Sequence, residues 1–177
     1  CFWPFGYNSF HCNVTPFLNK DGKNNTLAVR LENRPQSSRW YPGAGLYRNV
    51  HLIVTEKVHV PIWGTQLSTP HISKEFASVQ LRTKIENAGN DEIQMKTKII
   101  SPNGKVAAQK ENKSLIINEQ PFEQNFIVNA PQLWSPESPA LYKAVSEIYV
   151  NGKLADTYTT RFGIRKIEYV ADKGFYL

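Results

Sequence analysis

Two cysteines, one methionine and no long apolar run set the first limits on this chain of 177 residues. Cys1 and Cys12 sit near one end, so they build neither a disulfide framework nor a zinc-ligand spacing, and a bridge between them is left open. His11, His51, His59 and His71 show no paired-ligand pattern; no metal and no cofactor is expected. No stretch of about eighteen apolar residues offers a membrane-spanning helix, and the first residues show no basic region followed by an apolar one. The formal net charge is +6, but the lysines and arginines are scattered from Lys20 to Lys173 instead of forming a stripe. Neither nucleic acid nor membrane is therefore an expected partner. There is no Ser-His-Asp order, no nucleophile elbow and no dinucleotide fingerprint, and Gly43-Ala44-Gly45 lacks the following helix that a phosphate loop needs. Glycosylation triplets begin at Asn13, Asn24 and Asn112, and decide nothing.

What is present suits a globular all-β chain. A hydrophobic content of 41% is enough for a core, and eleven prolines and ten glycines punctuate runs of β-branched and aromatic residues. Leu27, Val29 and Leu31 alternate with Ala28, Arg30 and Glu32, the pattern of a half-buried strand. A second strand is expected from Tyr47, with Val50, Leu52 and Val54 on one face. Val58 to Gly64 crosses into a second unit. There Ala77, Val79, Leu81, Thr83 and Ile85 face one way, and Asn87-Ala88-Gly89-Asn90 is expected to turn the chain, as in a meander, into Ile93, Met95, Thr97 and Ile99. Pro102-Asn103-Gly104 turns it again. Further strands are expected at 114–118, 121–129, 141–150 and 153–164, the last two joined by Asn151-Gly152 in a type I′ turn. About seven strands with polar outer faces argue for an immunoglobulin-like antiparallel β-sandwich. Trp134-Ser135-Pro136 is expected to plug a sandwich edge, and Arg165 to reach across to a following domain.

One stretch is denser in chemistry than any other: Ser38-Arg39-Trp40-Tyr41-Pro42-Gly43-Ala44-Gly45-Leu46-Tyr47-Arg48-Asn49-Val50. Proline and glycine constrain its backbone, so Arg39, Trp40 and Tyr41 present either flat faces and a forked donor to a sugar or the packing of an inter-domain corner. The stretch resembles the end of the first domain of family 2 glycoside hydrolases, the β-galactosidase and β-glucuronidase type. Gly6-Tyr7-Asn8-Ser9-Phe10, Val14-Thr15-Pro16-Phe17-Leu18 and Asn25-Thr26-Leu27-Ala28-Val29-Arg30 are similar to that family's sugar-binding domain. Leu133-Trp134-Ser135-Pro136-Glu137, Pro139, Leu141-Tyr142, Phe162-Gly163-Ile164-Arg165 and Gly174-Phe175 are similar to its second domain and the exit toward a barrel.

The resemblance implies that residues 1–57 are the C-terminal part of a jelly-roll-like sugar-binding domain, 58–167 the immunoglobulin-like sandwich, and 168–177 the start of a linker or catalytic barrel. Both ends then read as cut from something longer. Glycoside hydrolysis needs two carboxyl groups, about 5 to 5.5 Å apart for retention, and in the resembling family both lie in the barrel downstream. No catalytic residue is expected here. Arg39 stands where some members carry an acidic sugar contact, so Arg39, Trp40 and Tyr41 are assigned a sugar-facing or domain-docking role. The implied partners are a carbohydrate, a β-galactoside or related, the barrel of the same chain, and a second copy of the chain; a periplasmic or secreted bacterial enzyme is the implied setting. The alternative is a free-standing immunoglobulin-like module that binds carbohydrate or protein.

Overall fold

In the computed structural model, which describes residues 1–4, 7–19, 21–33, 35–36, 43, 45–86, 89, 91–115 and 121–177, strand alternation produces a sheet only where partner strands exist. The chain forms two compact units, Cys1–Ile53 and Val54–Leu177. Among the described residues of the first there is a 3-10 turn at Thr15–Phe17 and no strand. Leu27, Val29, Leu31, Val50 and Leu52, expected on half-buried strands, are exposed. The alternation is real, but one or two strands bury too little apolar area to order a sheet in water. Cys1 and Cys12 are exposed free thiols.

Among its described residues the second unit carries nine strands: β1 Thr65–Ile72, β2 Phe76–Thr83, β3 Glu92–Ile100, β4 Val106–Leu115, β5 Phe122–Asn129, β6 Tyr142–Val150, β7 Lys153–Phe162, β8 Glu168–Val170 and β9 Gly174–Tyr176. The first seven form two antiparallel sheets, ordered β1-β2-β5 and β4-β3-β6-β7, and β8-β9 is a separate hairpin. This is the expected sandwich, but not a meander: the chain between β2 and β3 changes sheets. Of the turn expected there, only Gly89 lies within the described residues. Of the strand expected at 114–118, residues 114 and 115 end β4, which begins soon after the Pro102-Asn103-Gly104 turn, and 116–118 lie outside the described residues. Its polar run Gln109-Lys110-Glu111-Asn112-Lys113 hides the strand from a pattern reading, yet cross-strand pairs support it, with Lys96 Nζ 3.7 Å from Glu111 and Lys113 Nζ 3.9 Å from Glu92. β1 was hidden by Pro70, which an edge strand tolerates; its register shifts between Ser68 and His71. The residues before it contribute Val58 and Val60 to the core, with a single bridge from His59 to Glu86.

The core is two apolar clusters. Ala77, Val79, Leu81, Ile99, Phe126, Val128, Tyr142 and Ala144 belong to one, and Ile85, Ile93, Met95, Phe122 and Ile148 to the other. Between the two clusters, four strands each place one buried polar residue: Thr83 at the end of β2, Thr97 on β3, Gln124 on β5 and Ser146 on β6. Buried polar groups need partners. The Thr97 and Ser146 hydroxyls bond at 2.9 Å, and Gln124 Nε2 donates to Asn112 Oδ1 at 3.0 Å.

Candidate functional site

Arg39, Trp40 and Tyr41 lie outside the described residues. Their downstream flank is described. The Tyr47 ring meets the Tyr7 ring edge-on at 6.5 Å, and the Arg48 guanidinium carbon stands 5.3 Å from the Tyr47 ring centre. Both rings are largely exposed. Arg48 covers one face of Tyr47 by cation–π attraction, so it is the arginine's outward donors that face solvent there.

The second aromatic cluster is a packed joint. Trp134 N–H donates to the Ile164 carbonyl at 2.8 Å, which ties the loop after β5 to the chain leaving β7. Arg165, expected to reach across to a following domain, lies over the Trp134 ring, its guanidinium carbon 5.3 Å from the ring centre. An indole face within reach of a desolvating cation is the nearer partner. Glycine at 163 is what lets the indole seat: a Cβ there would fall 3.0 Å from Trp134 Cγ and 3.1 Å from Cβ and Cδ1. Gly163→Ala is therefore expected to lower stability by about 1 kcal/mol, read as a lower urea midpoint; an unchanged midpoint would show that the indole moves aside freely.

Carboxylates are placed for pairing instead of proton transfer. Glu123 takes Arg82 Nε at 3.0 Å, Glu86 takes Lys84 at 3.8 Å, and Glu92 and Glu111 take lysines across β3 and β4. Glu147 accepts from the Tyr149 hydroxyl at 3.1 Å; partial burial raises the Tyr149 phenol above its ordinary range, and that hydrogen bond adds to the effect. One shallow groove, open to solvent, holds both Glu56 and Asp156. Asp156 is occupied, however: one oxygen accepts the Val60 N–H and the other the Thr157 N–H, each at 2.8 Å. It fastens the entering chain to β7. Among the described residues no group of three His, Cys, Asp or Glu side chains converges.

Comparison with known proteins matches this architecture. A family model described as glycosyl hydrolases family 2 covers residues 61–165, a span that holds all of β1 to β7. The chain is 37% identical over 179 residues to the β-galactosidase BoGH2A of Bacteroides ovatus, covering 98% of this chain and 21% of that protein. It is 32% identical over 201 residues to a β-glucuronidase of Formosa agariphila, covering 99% of this chain and 20% of that one. Among solved structures, it is similar to a family 2 member from Bacteroides cellulosilyticus, with a TM-score of 0.63 and 30% identity over 69% of this chain and 16% of that one. It is also similar to a family 2 β-glucuronidase, with a TM-score of 0.61 and 28% identity over 69% and 14%. The chain thus spans about a fifth of the curated relatives' length.

Proposed function

Because this chain belongs to glycoside hydrolase family 2, we propose that it is the non-catalytic part of a β-galactosidase-like enzyme that hydrolyses terminal β-glycosidic bonds. The observation that carries this reading is the coverage: the match takes in nearly all of this chain but only a fifth of the relatives. In the longer protein the two reacting carboxylates belong downstream of this chain, with retention of configuration. The occupied carboxylates of the sandwich support that division of labour.

The sandwich, 58–167, orients the barrel. The preceding segment, 1–57, is the end of the sugar-binding domain, and its Arg39-Trp40-Tyr41 loop forms a wall of the sugar pocket. Relatives named for galactosides and for glucuronides leave the galactoside the first substrate to try and the acid sugar the second. The test is turnover of chromogenic β-glycosides by this chain and by the full-length protein side by side. Turnover by the full-length protein alone is the expected result, and turnover by the 177-residue chain would overturn it. In the full-length protein, Trp40→Ala should raise KM about 2- to 10-fold, the loss of one stacking face; an unchanged KM would remove Trp40 from the sugar site.

A further inference from the structure

The outer face of the four-stranded sheet divides its charges unevenly. At one end Lys96 and Lys113 are neutralised by Glu111 and Glu92. At the other end Lys143 on β6 stands directly opposite Arg161 on β7, and Lys98 on β3 sits diagonally beside Lys143, since Lys143 pairs with Ile100. All three side chains are exposed, and among the described residues none is ion-paired to a carboxylate. Like charges directly opposite across two strands are destabilising. The fold keeps this cost at one place on a face that elsewhere alternates its signs.

We infer that Lys98, Lys143 and Arg161 form a docking row for a linear acidic polysaccharide. Lys143 and Arg161 stand about 5 Å apart across neighbouring strands, and Lys98 lies at the longer diagonal of about 7 to 8 Å, which suits a polymer that carries carboxylates along its length. Gln109 opposite Lys98 and Thr159 beside Arg161 add an amide and a hydroxyl on the same exposed face. That mixture fits a sugar acid, whose hydroxyls need neutral partners and whose carboxylates need cations. An acidic peptide offers such neutral groups only its backbone N–H and C=O, whereas a sugar acid carries free hydroxyls beside every carboxylate. Arg161 supplies the forked donor that takes a carboxylate with two parallel bonds. The inference extends the glycosidase reading by giving the sandwich a substrate-retaining surface, so the enzyme would hold an acidic polymer away from the reacting bond.

The test is affinity electrophoresis of the 177-residue chain through gels containing sodium polygalacturonate or neutral galactan at about 0.15 M salt. Retardation by polygalacturonate alone is expected. The triple variant Lys98→Gln, Lys143→Gln, Arg161→Gln should bind about tenfold more weakly, while Lys23→Gln, Lys153→Gln, Lys173→Gln, which removes the same three charges from the same +6, should bind as the parent does. Equal weakening in both variants would reduce the effect to net charge and overturn the proposal. Absence of retardation would overturn it too. Equal retention of poly-glutamate through the same three residues would assign the row to an acidic protein instead. The gel reads no hydrolysis, so its failure leaves the glycoside panel untouched, and failure of that panel leaves this binding result standing.

Discussion

Leu81→Ala should lower the unfolding free energy of the sandwich by about 2 to 5 kcal/mol. Leu81 lies on β2, the central strand of its sheet, where it faces Leu67 of β1 and Gln124 of β5. It is 1% exposed and belongs to the cluster that joins both sheets through Ile99, Phe126 and Tyr142. Truncation removes three heavy atoms from a site whose neighbours are fixed by two ladders, so the walls cannot collapse to fill it. The polar band begins one inward position further along β2, at buried Thr83. With a urea slope of about 1 to 3 kcal/mol per molar, the midpoint should fall by about 0.7 M or more. Leu154→Ala on the exposed part of β7 should change stability by less than about 0.5 kcal/mol. Equal shifts for the two variants would mean that Leu81 is not in the core described here.

The two-cluster core also explains why the outer face is free to specialise. Inward positions of β2, β3, β5 and β6 settle the register, since a slip by one residue would bury Arg82, Lys96 or Glu147 and expose their neighbours. Outward positions carry no such constraint. Surface pairs such as Lys96 with Glu111 contribute at most about 1 kcal/mol each, so losing an acidic partner at Lys98 or Lys143 is tolerated by the fold. A binding row can therefore sit on this sheet without disturbing what holds it together.

Much of this was legible in the sequence, and the failures have physical causes. Clean alternation located β2, β3, β5 and β6, whose inward faces are buried except at Val150, the half-buried end of β6. Asn151 and Gly152 take φ of +49° and +79°, the type I′ geometry that an Asn-Gly pair favours. The edge strands β1 and β4 escaped because an edge needs neither an apolar stripe nor freedom from proline. Sheet membership escaped as well, since alternation says which face is inward but not which sheet a strand joins. The docking row was beyond reach for a sharper reason. Counting one for one from the Asn151-Gly152 turn sets Lys143 opposite Thr160. A register shift past Tyr149 passes over Ala155 and sets it opposite Arg161. A single bulge residue changes a cation–hydroxyl pair into a cation–cation pair. Arg39, Trp40 and Tyr41 were legible as a motif, and their role rests on the kinetics of Trp40→Ala.

Gly64→Ala should cost about 3 kcal/mol, close to a truncation in the core although it adds only a methyl group. The residue ends the four-residue turn Pro61–Gly64, closed by the Gly64 N–H donating to the Pro61 carbonyl at 2.8 Å, and its own carbonyl accepts the Lys84 N–H at 2.7 Å. That turn joins buried Val60 to the first residue of β1. A Cβ at 64 would lie 2.7 Å from Pro61 Cδ and Cγ and 2.8 Å from the Pro61 oxygen. The ring atoms can pucker by a few tenths of an ångström, but the oxygen is held by the hydrogen bond that makes the turn. Trp63 already sits at φ +59°, where a bulky side chain crowds its own backbone, so the turn has no slack to absorb the methyl. The urea midpoint should drop with an unchanged slope, the mark of a stability change without a change in the area exposed. Adding Pro61→Ala removes the ring contacts but not the carbonyl contact, and should restore only part of the loss, with a coupling of about 0.5 to 3 kcal/mol between the sites. A shift below about 0.5 kcal/mol for Gly64→Ala alone would show that the turn yields and that β1 is anchored by its ladder to β2, independent of how the chain enters it.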